Sequence, residues 1–464
     1  MQSLLVLCLT PLLPGLWSPQ VQAPTGTPAG AHNPVSMVDT GDGLALFGPP
    51  NYPSGPSYLG PTNHQIGSGS LNIGDGWPEN FLYVEPLPAP TQPVPLVVMF
   101  HKFGSTQNDL TFNTNFPAEA GAQGWYLVCP LAANTQHFGS LPSQVHMEAV
   151  ILDMLVRYPL IDRNRIYAVG FSMGGGAVAN YAARHLNPAK PMFASMVAMS
   201  GGFALKHTYY SDVPVRPFLD FWYGNGGAGS ADPWKMARSS AVNFDPITLV
   251  VENTEDLARN LLHIPMRIVR PIDDPVPYLP VQGDVMAAHM QTLGATVGPN
   301  FDYKFVPFGW DAYDHKWSML DSHWAFNWMG THTLTLPTSA STLADRDDTY
   351  FHFFVEQDAA GAFTPFTWNI DVPNNTLSFS ATANLKRLTV DTLGAGINPL
   401  LQFTVNLATA DGLADDIVIT SVPSKPISVL RDTLPTSSWN YNATLGELTL
   451  LETDGLPHQW VITP

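Results

Sequence analysis

Ser172 stands between Gly170-Phe171 and Met173-Gly174, where an apolar run changes into a helical pattern. A serine hydroxyl is a weak nucleophile until a base takes its proton and a third group orients that base. It also has to be presented on a sharp turn from strand to helix, where only small neighbours let the two backbones approach. Gly174-Gly175-Gly176 and the alanine-rich run to His185 supply such neighbours. The reading without chemistry is a glycine-rich turn with an incidental serine, in a chain of 37 glycines. The strand before and the helix after favour a nucleophile.

On such a scaffold the acid and the base follow the serine, in that order, each just past a later strand. The segment IPMRIVRPIDDPVPY predicts a strand ending near Arg270, with Asp273 and Asp274 in the turn beyond it. Asp273 is taken as the acid because two residues separate it from Val276-Pro277; Asp274 is the alternative, or a brace for the turn. His315 follows the strand-like FDYKFVPF and precedes the last helix, so it is the expected base. His323 falls inside that helix and His332 after it. An ester transition state develops a negative oxygen that needs fixed N–H donors. The expected donors are the backbone of Met173 and, in the loop HKFGS, the backbone of Phe103, with Lys102 second and His101 as a brace. Trp222, Tyr223 and Trp310 are candidate substrate contacts, although aromatics at this density also build cores.

These groups need elements to hold them. Short continuous apolar runs at 94–101, 124–130, 165–170, 193–202, 264–273 and 301–308 read as strands buried on both faces. Helical spacing at 143–159, 283–295 and 318–332, and after the glycines, alternates with them. The alternation predicts an α/β domain over 76–335 with a mostly parallel sheet, interrupted by a cap-like insertion at 203–263. Residues 1–31 read as a signal peptide and short linker, and 32–75 as an extended arm with little regular structure. Helical periodicity ends near Ala340, and 345–464 reads as an all-β sandwich.

Composition narrows the function. A net charge of −18 over 464 residues argues against nucleic acid and against anionic membranes. The apolar run Leu4–Leu9 and the small-residue Val21-Gln22-Ala23 suggest export to the extracellular space or periplasm, and no other stretch is apolar enough for stable membrane insertion. With Cys8 in the leader, Cys129 is left alone in an apolar strand, a core residue without a disulfide. No metal motif or cofactor signature is present; Asp345, Asp347 and Asp348 fit a solvated acidic loop better than a calcium site. Oligomeric state is not written in the pattern.

The segments PLVVMFHKFGS, GWYLVCP, YPLIDRNRIYAVGFSMGGGAVANYAARH and FASMVAMSGG resemble secreted poly(3-hydroxybutyrate) depolymerases and feruloyl esterases of the α/β-hydrolase superfamily, over about residues 75 to 330. The resemblance implies a doubly wound α/β-hydrolase sheet and a carboxylic ester substrate, polymeric esters included. It gives Ser172 the nucleophile's role, His315 the base's, Asp273 the acid's, and Met173 and Phe103 the oxyanion contacts. His101-Lys102 replaces the usual His-Gly of the oxyanion loop, Arg270-Pro271 stands where His-Gly often precedes the acid, and the families' cysteines are missing. These departures bear on the substrate. Two other readings stay open: a prolyl oligopeptidase-like serine peptidase, and a non-catalytic binding protein on a hydrolase shell. For the C-terminal module, substrate binding through Trp439, Tyr441 or Trp460 competes with packing against the hydrolase.

Overall fold

The computed structural model describes residues 63–464 apart from 225–229, 272, 299 and 306–313. The expected leader and most of the expected arm lie outside these residues, as does Trp310. The described residues begin with β1 (His64–Asn72), β2 (Pro78–Pro86) and β3 (Val94–Phe100), followed by the short helices α1 (Asp109–Phe112) and α2 (Phe116–Gln123). Next come β4 (Tyr126–Pro130), α3 (Leu141–Arg157), β5 (Ile161–Phe171), α4 (Met173–Arg184) and β6 (Ser195–Met199). The insertion carries α5 (Leu205–Ser211), α6 (Arg216–Tyr223) and α7 (Pro233–Ala237). The first domain then closes with β7 (Met266–Arg270), α8 (Tyr278–Thr292), β8 (Phe301–Phe305) and α9 (Ser322–Met329).

These eight strands form one sheet in the order β1-β2-β4-β3-β5-β6-β7-β8. From β4 onward the pairs are parallel, whereas β1 and β2 run antiparallel at the edge. The apolar runs become strands because both faces are covered: every residue of β4 and β6 is buried. From β3 the chain moves outward to β4, then returns to place β5 on β3's other side. The crevice beyond the carboxyl ends of β3 and β5 is therefore the topological switch point, where ligands bind in open α/β sheets.

Part of the expected arm is strand instead. HQIGSGSLN pairs in full register with β2, and Gly67 and Gly69 lie under the rings of Tyr83 and Phe81, which fill the space their own side chains would take.

Two further sheets build the sandwich. One has six strands and the other seven, the latter edged by β9 (Ser339–Ala344), so the β module begins a few residues before 345. Trp368, Phe353, Phe366, Phe379 and Trp460 fill the space between them. This module is fastened to the end of α4. Asp345 accepts from the buried Arg184 at 2.8 and 3.0 Å and from the partly exposed Arg238 at 2.8 Å. Asn260 donates to the carbonyls of Ala183 and Leu343 and accepts from the Leu343 N–H. Leu186 and Met192 join the sandwich core, while Leu343 and Phe363 join that of the α/β domain. Packing is thus the role the contacts favour. Trp460 is a core residue whose indole donates to Glu452, and Trp439 and Tyr441 are half-buried with their polar atoms bonded to backbone carbonyls; the expected exposed aromatics are not a free surface row.

Candidate active site

β5 ends at Phe171 and α4 begins at Met173, so Ser172 alone makes the turn. Its φ of 58° and ψ of −120° lie in a region that costs an L-residue about 1–3 kcal/mol. The surroundings hold it there: its N–H donates to Met199 O at 2.8 Å, and its carbonyl accepts from Gly176 and Gly202. The glycines are required by close approach. A Cβ on Gly174 would strike the carbonyl oxygen of Phe100, and one on Gly176 that of Gly202. Ser172 sits at the elbow between strand and helix, at the carboxyl edge of a doubly wound sheet. This is an α/β-hydrolase fold.

The chain carries His315 after β8, in the loop the sequence predicts. His315 Nδ1 lies 3.0 and 3.1 Å from the two carboxylate oxygens of Asp274, whose side chain is fully buried. The expectation of Asp273 is corrected here. Its side chain is exposed, whereas Asp274, one residue on, turns inward and also takes the Val276 N–H at 2.9 Å. A one-residue step in a tight turn reverses the direction of a side chain, and spacing to Val276-Pro277 does not resolve it. With Nδ1 held, Nε2 of His315 is the nitrogen left to exchange a proton. The imidazole packs on Phe171 at 4.5 Å between ring centroids.

Ser172 and His315 line one cavity of about 350 Å³, with Met173, Phe103 and Lys102. In the loop after β3, the N–H of Lys102 is taken by Asp109, that of Gly104 by Thr135 O and that of Ser105 by Lys102 O. Among the described residues the N–H groups of Phe103 and Met173 have no acceptor, as donors kept for an oxyanion require. His101 is fully buried and braces this loop, with its nitrogens 2.9 Å from the carbonyls of Lys102 and Leu131. His137 packs edge-on against it at 4.8 Å; burial, then the neighbouring His101, holds His137 well below the usual imidazole range.

The remaining walls are mostly apolar, from Phe138, Leu205, Val215, Val276 and Leu279, with Thr208, Asp212 and Tyr278 as polar members. Tyr278 donates to Asp212 at 3.1 Å. Neither Trp222 nor Tyr223 is in this lining, which corrects that expectation. Trp222 donates to Gln136 O and Tyr223 to Phe138 O, so both dock α6 onto the loop after β4 and place Phe138. His323 binds Glu119 away from the cleft.

The acidic loop considered for calcium is otherwise engaged. Asp345 and Asp348 are engaged by arginines and Asp347 by the Gln357 N–H. Glu452, Asp454 and His458 have ligand atoms within 4.8 Å of one another; Arg431 pairs with Glu452 and Asp454, and His458 with Asp454 and Asp432.

No family model matches this sequence, and no curated protein does. Solved structures with related architecture are found. An acylaminoacyl peptidase of Pyrococcus horikoshii is 16% identical with a TM-score of 0.39, and the match covers 52% of this chain and 37% of the peptidase. An S-formylglutathione hydrolase of Agrobacterium tumefaciens is 16% identical with a TM-score of 0.41, over 59% of this chain and 96% of that one. A carboxyl esterase of the fungus Tuber melanosporum is 14% identical with a TM-score of 0.37, over 60% and 85%.

Proposed function

We propose that this chain is a serine hydrolase that cleaves carboxylic esters through an acyl-enzyme. The observation that carries the reading is a strained serine and an Asp274-oriented His315 on one largely apolar cavity. Ser172 Oγ attacks the ester carbonyl carbon as its proton passes to His315 Nε2. Asp274 holds the imidazole in the required tautomer and stabilises the imidazolium. The former carbonyl oxygen, now negative, accepts from the N–H groups of Met173 and Phe103. Collapse breaks the bond to the alcohol oxygen, which takes the proton from His315. Water then repeats the sequence on the acyl-serine, releasing the acid and restoring Ser172.

The apolar walls suit an aliphatic or aromatic acyl group of modest size rather than a charged one. Polyesters and feruloyl esters both present such groups, and the export expected from the leader suits either. A panel of p-nitrophenyl butyrate, a feruloyl sugar, a polyester film and a peptide amide tests the reading. Turnover of esters that vanishes in Ser172→Ala supports it; turnover of the peptide amide alone would replace it with a peptidase.

A further inference from the structure

Asp109 sits on α1, outside the serine, histidine and acid, yet it touches the supports of both halves of the site. It is 1% exposed. A carboxylate buried in that way is costly unless its oxygens are satisfied. Four neutral donors do so. Oδ2 accepts the Lys102 N–H at 3.2 Å and the Trp317 indole N–H at 3.1 Å. Oδ1 accepts the Ser105 hydroxyl and the Asn113 amide, each at 2.5 Å.

The two bonds to Oδ2 reach two different loops, that of Phe103 and that of His315. Lys102 immediately precedes Phe103. With the Lys102 N–H bound and its carbonyl accepting from His101 and Ser105, the loop leaves only the Phe103 N–H of this stretch without a protein acceptor. Trp317 lies two residues after His315. Its ring is buried against Phe171 and Phe116, at 5.3 and 5.6 Å, and Phe171 also carries the His315 ring. One carboxylate oxygen therefore ties the loop of the oxyanion donor to the loop of the base.

We propose that Asp109 is a positioning residue that sets the spacing between the Phe103 N–H and His315 by holding Lys102 and Trp317 on one oxygen. The inference rests on the esterase reading above and adds to it a group that never meets the substrate. A misplacement of about 1 Å can cost on the order of 100-fold in rate, which bounds the effect.

The test compares wild type with Asp109→Asn, Trp317→Phe and Asn113→Ala. Trp317→Phe keeps an aromatic ring and removes one N–H; Asn113→Ala removes a donor to Oδ1 that belongs to neither the Phe103 loop nor the His315 loop. Three assays are run: kcat and KM on p-nitrophenyl butyrate, the rate of fluorophosphonate labelling at Ser172, and inhibition by an alkyl boronic acid, whose tetrahedral adduct occupies the oxyanion site. Asp109→Asn should lower kcat and labelling by about 10- to 100-fold with KM within about threefold, and weaken boronate inhibition in parallel. Trp317→Phe should lower kcat by roughly 3- to 10-fold, and Asn113→Ala by less than twofold even where its melting temperature falls. If Asp109→Asn and Trp317→Phe melt earlier but label and turn over at the wild-type rate, Asp109 is merely structural and the proposal is overturned. Should Asp109→Asn fail to fold, an Asn113→Ala loss equal to that of Trp317→Phe overturns it equally. Wild-type protein that takes no label sinks the esterase reading and this proposal together, whereas a labelled wild type with unaffected variants sinks only the proposal.

Discussion

Replacing Asp345 by alanine should loosen the junction between the two modules. Its Oδ2 receives both Arg184 and Arg238, and its Oδ1 the hydroxyl of Tyr350 at 3.2 Å. The side chains of Asp345 and Arg184 are 1% and 0% exposed. Burial by itself would raise the Asp345 pKa, but Arg184, then Arg238 and Arg346, outweigh it and hold the carboxyl well below the usual range. Without it, the Arg184 guanidinium stays buried with Gln144 as its remaining polar partner. Removing one member of a buried pair costs about 3–5 kcal/mol, because the other charge is left uncompensated. For a cooperative unit of a few hundred residues that lowers the melting temperature by roughly 10 °C. Because the folded pKa lies below the unfolded one, the contribution is complete at neutral pH and fades only on acidification below about pH 4. Calorimetry at pH 7 and pH 3 on wild type and Asp345→Ala measures it: a large gap at pH 7 should shrink at pH 3. An alanine variant melting within about 2 °C of wild type at pH 7 would refute the reasoning.

Asp274→Asn should leave the fold intact and lower kcat by about 10⁴-fold, some 5 kcal/mol of barrier, while Asp273→Asn changes it little; the reverse order in steady-state assays would return the acid's role to Asp273. Burial, with Asp411, Asp358 and Glu452 adding to it against the hydrogen bond from Thr382, pushes the Asp415 carboxyl up to about 7. That raised value makes the fold lose stability as pH climbs from about 4 through 7, so Asp415→Asn should raise the melting temperature at pH 8 and barely alter it at pH 4. Ending the chain before Ser339 should yield aggregated or early-melting protein that has lost soluble-ester and polymer hydrolysis together, since Leu186, Met192 and Arg184 would lose their cover; a soluble, fully active fragment would show that the sandwich is dispensable.

Much of the frame is legible in the sequence because buried parallel strands are continuous apolar runs and the elbow's glycines are demanded by backbone contact. Ser172 and His315 occupy their expected loops for that reason. What periodicity does not carry is direction and partnership. Asp273 and Asp274 are adjacent and chemically equal, and only the folded turn tells which faces His315. β1 escapes because its glycines remove the alternation of side chains, their place being taken by rings from the neighbouring strand. Trp222 and Tyr223 look like cleft aromatics, yet their polar atoms find backbone carbonyls of a distant loop. Asp109 has no local signal beyond its position after HKFGSTQN, because its partners Lys102 and Trp317 are far apart in the chain.

The central claim is that Ser172, activated by His315 and Asp274, forms a covalent acyl intermediate. Incubation with a fluorophosphonate, followed by peptide mass spectrometry, tests it most directly. The account predicts one stoichiometric adduct on Ser172, with labelling abolished in His315→Ala and matched by loss of p-nitrophenyl butyrate hydrolysis. Wild-type protein that hydrolyses the ester while Ser172 stays unmodified, or an adduct on a different serine, would contradict it.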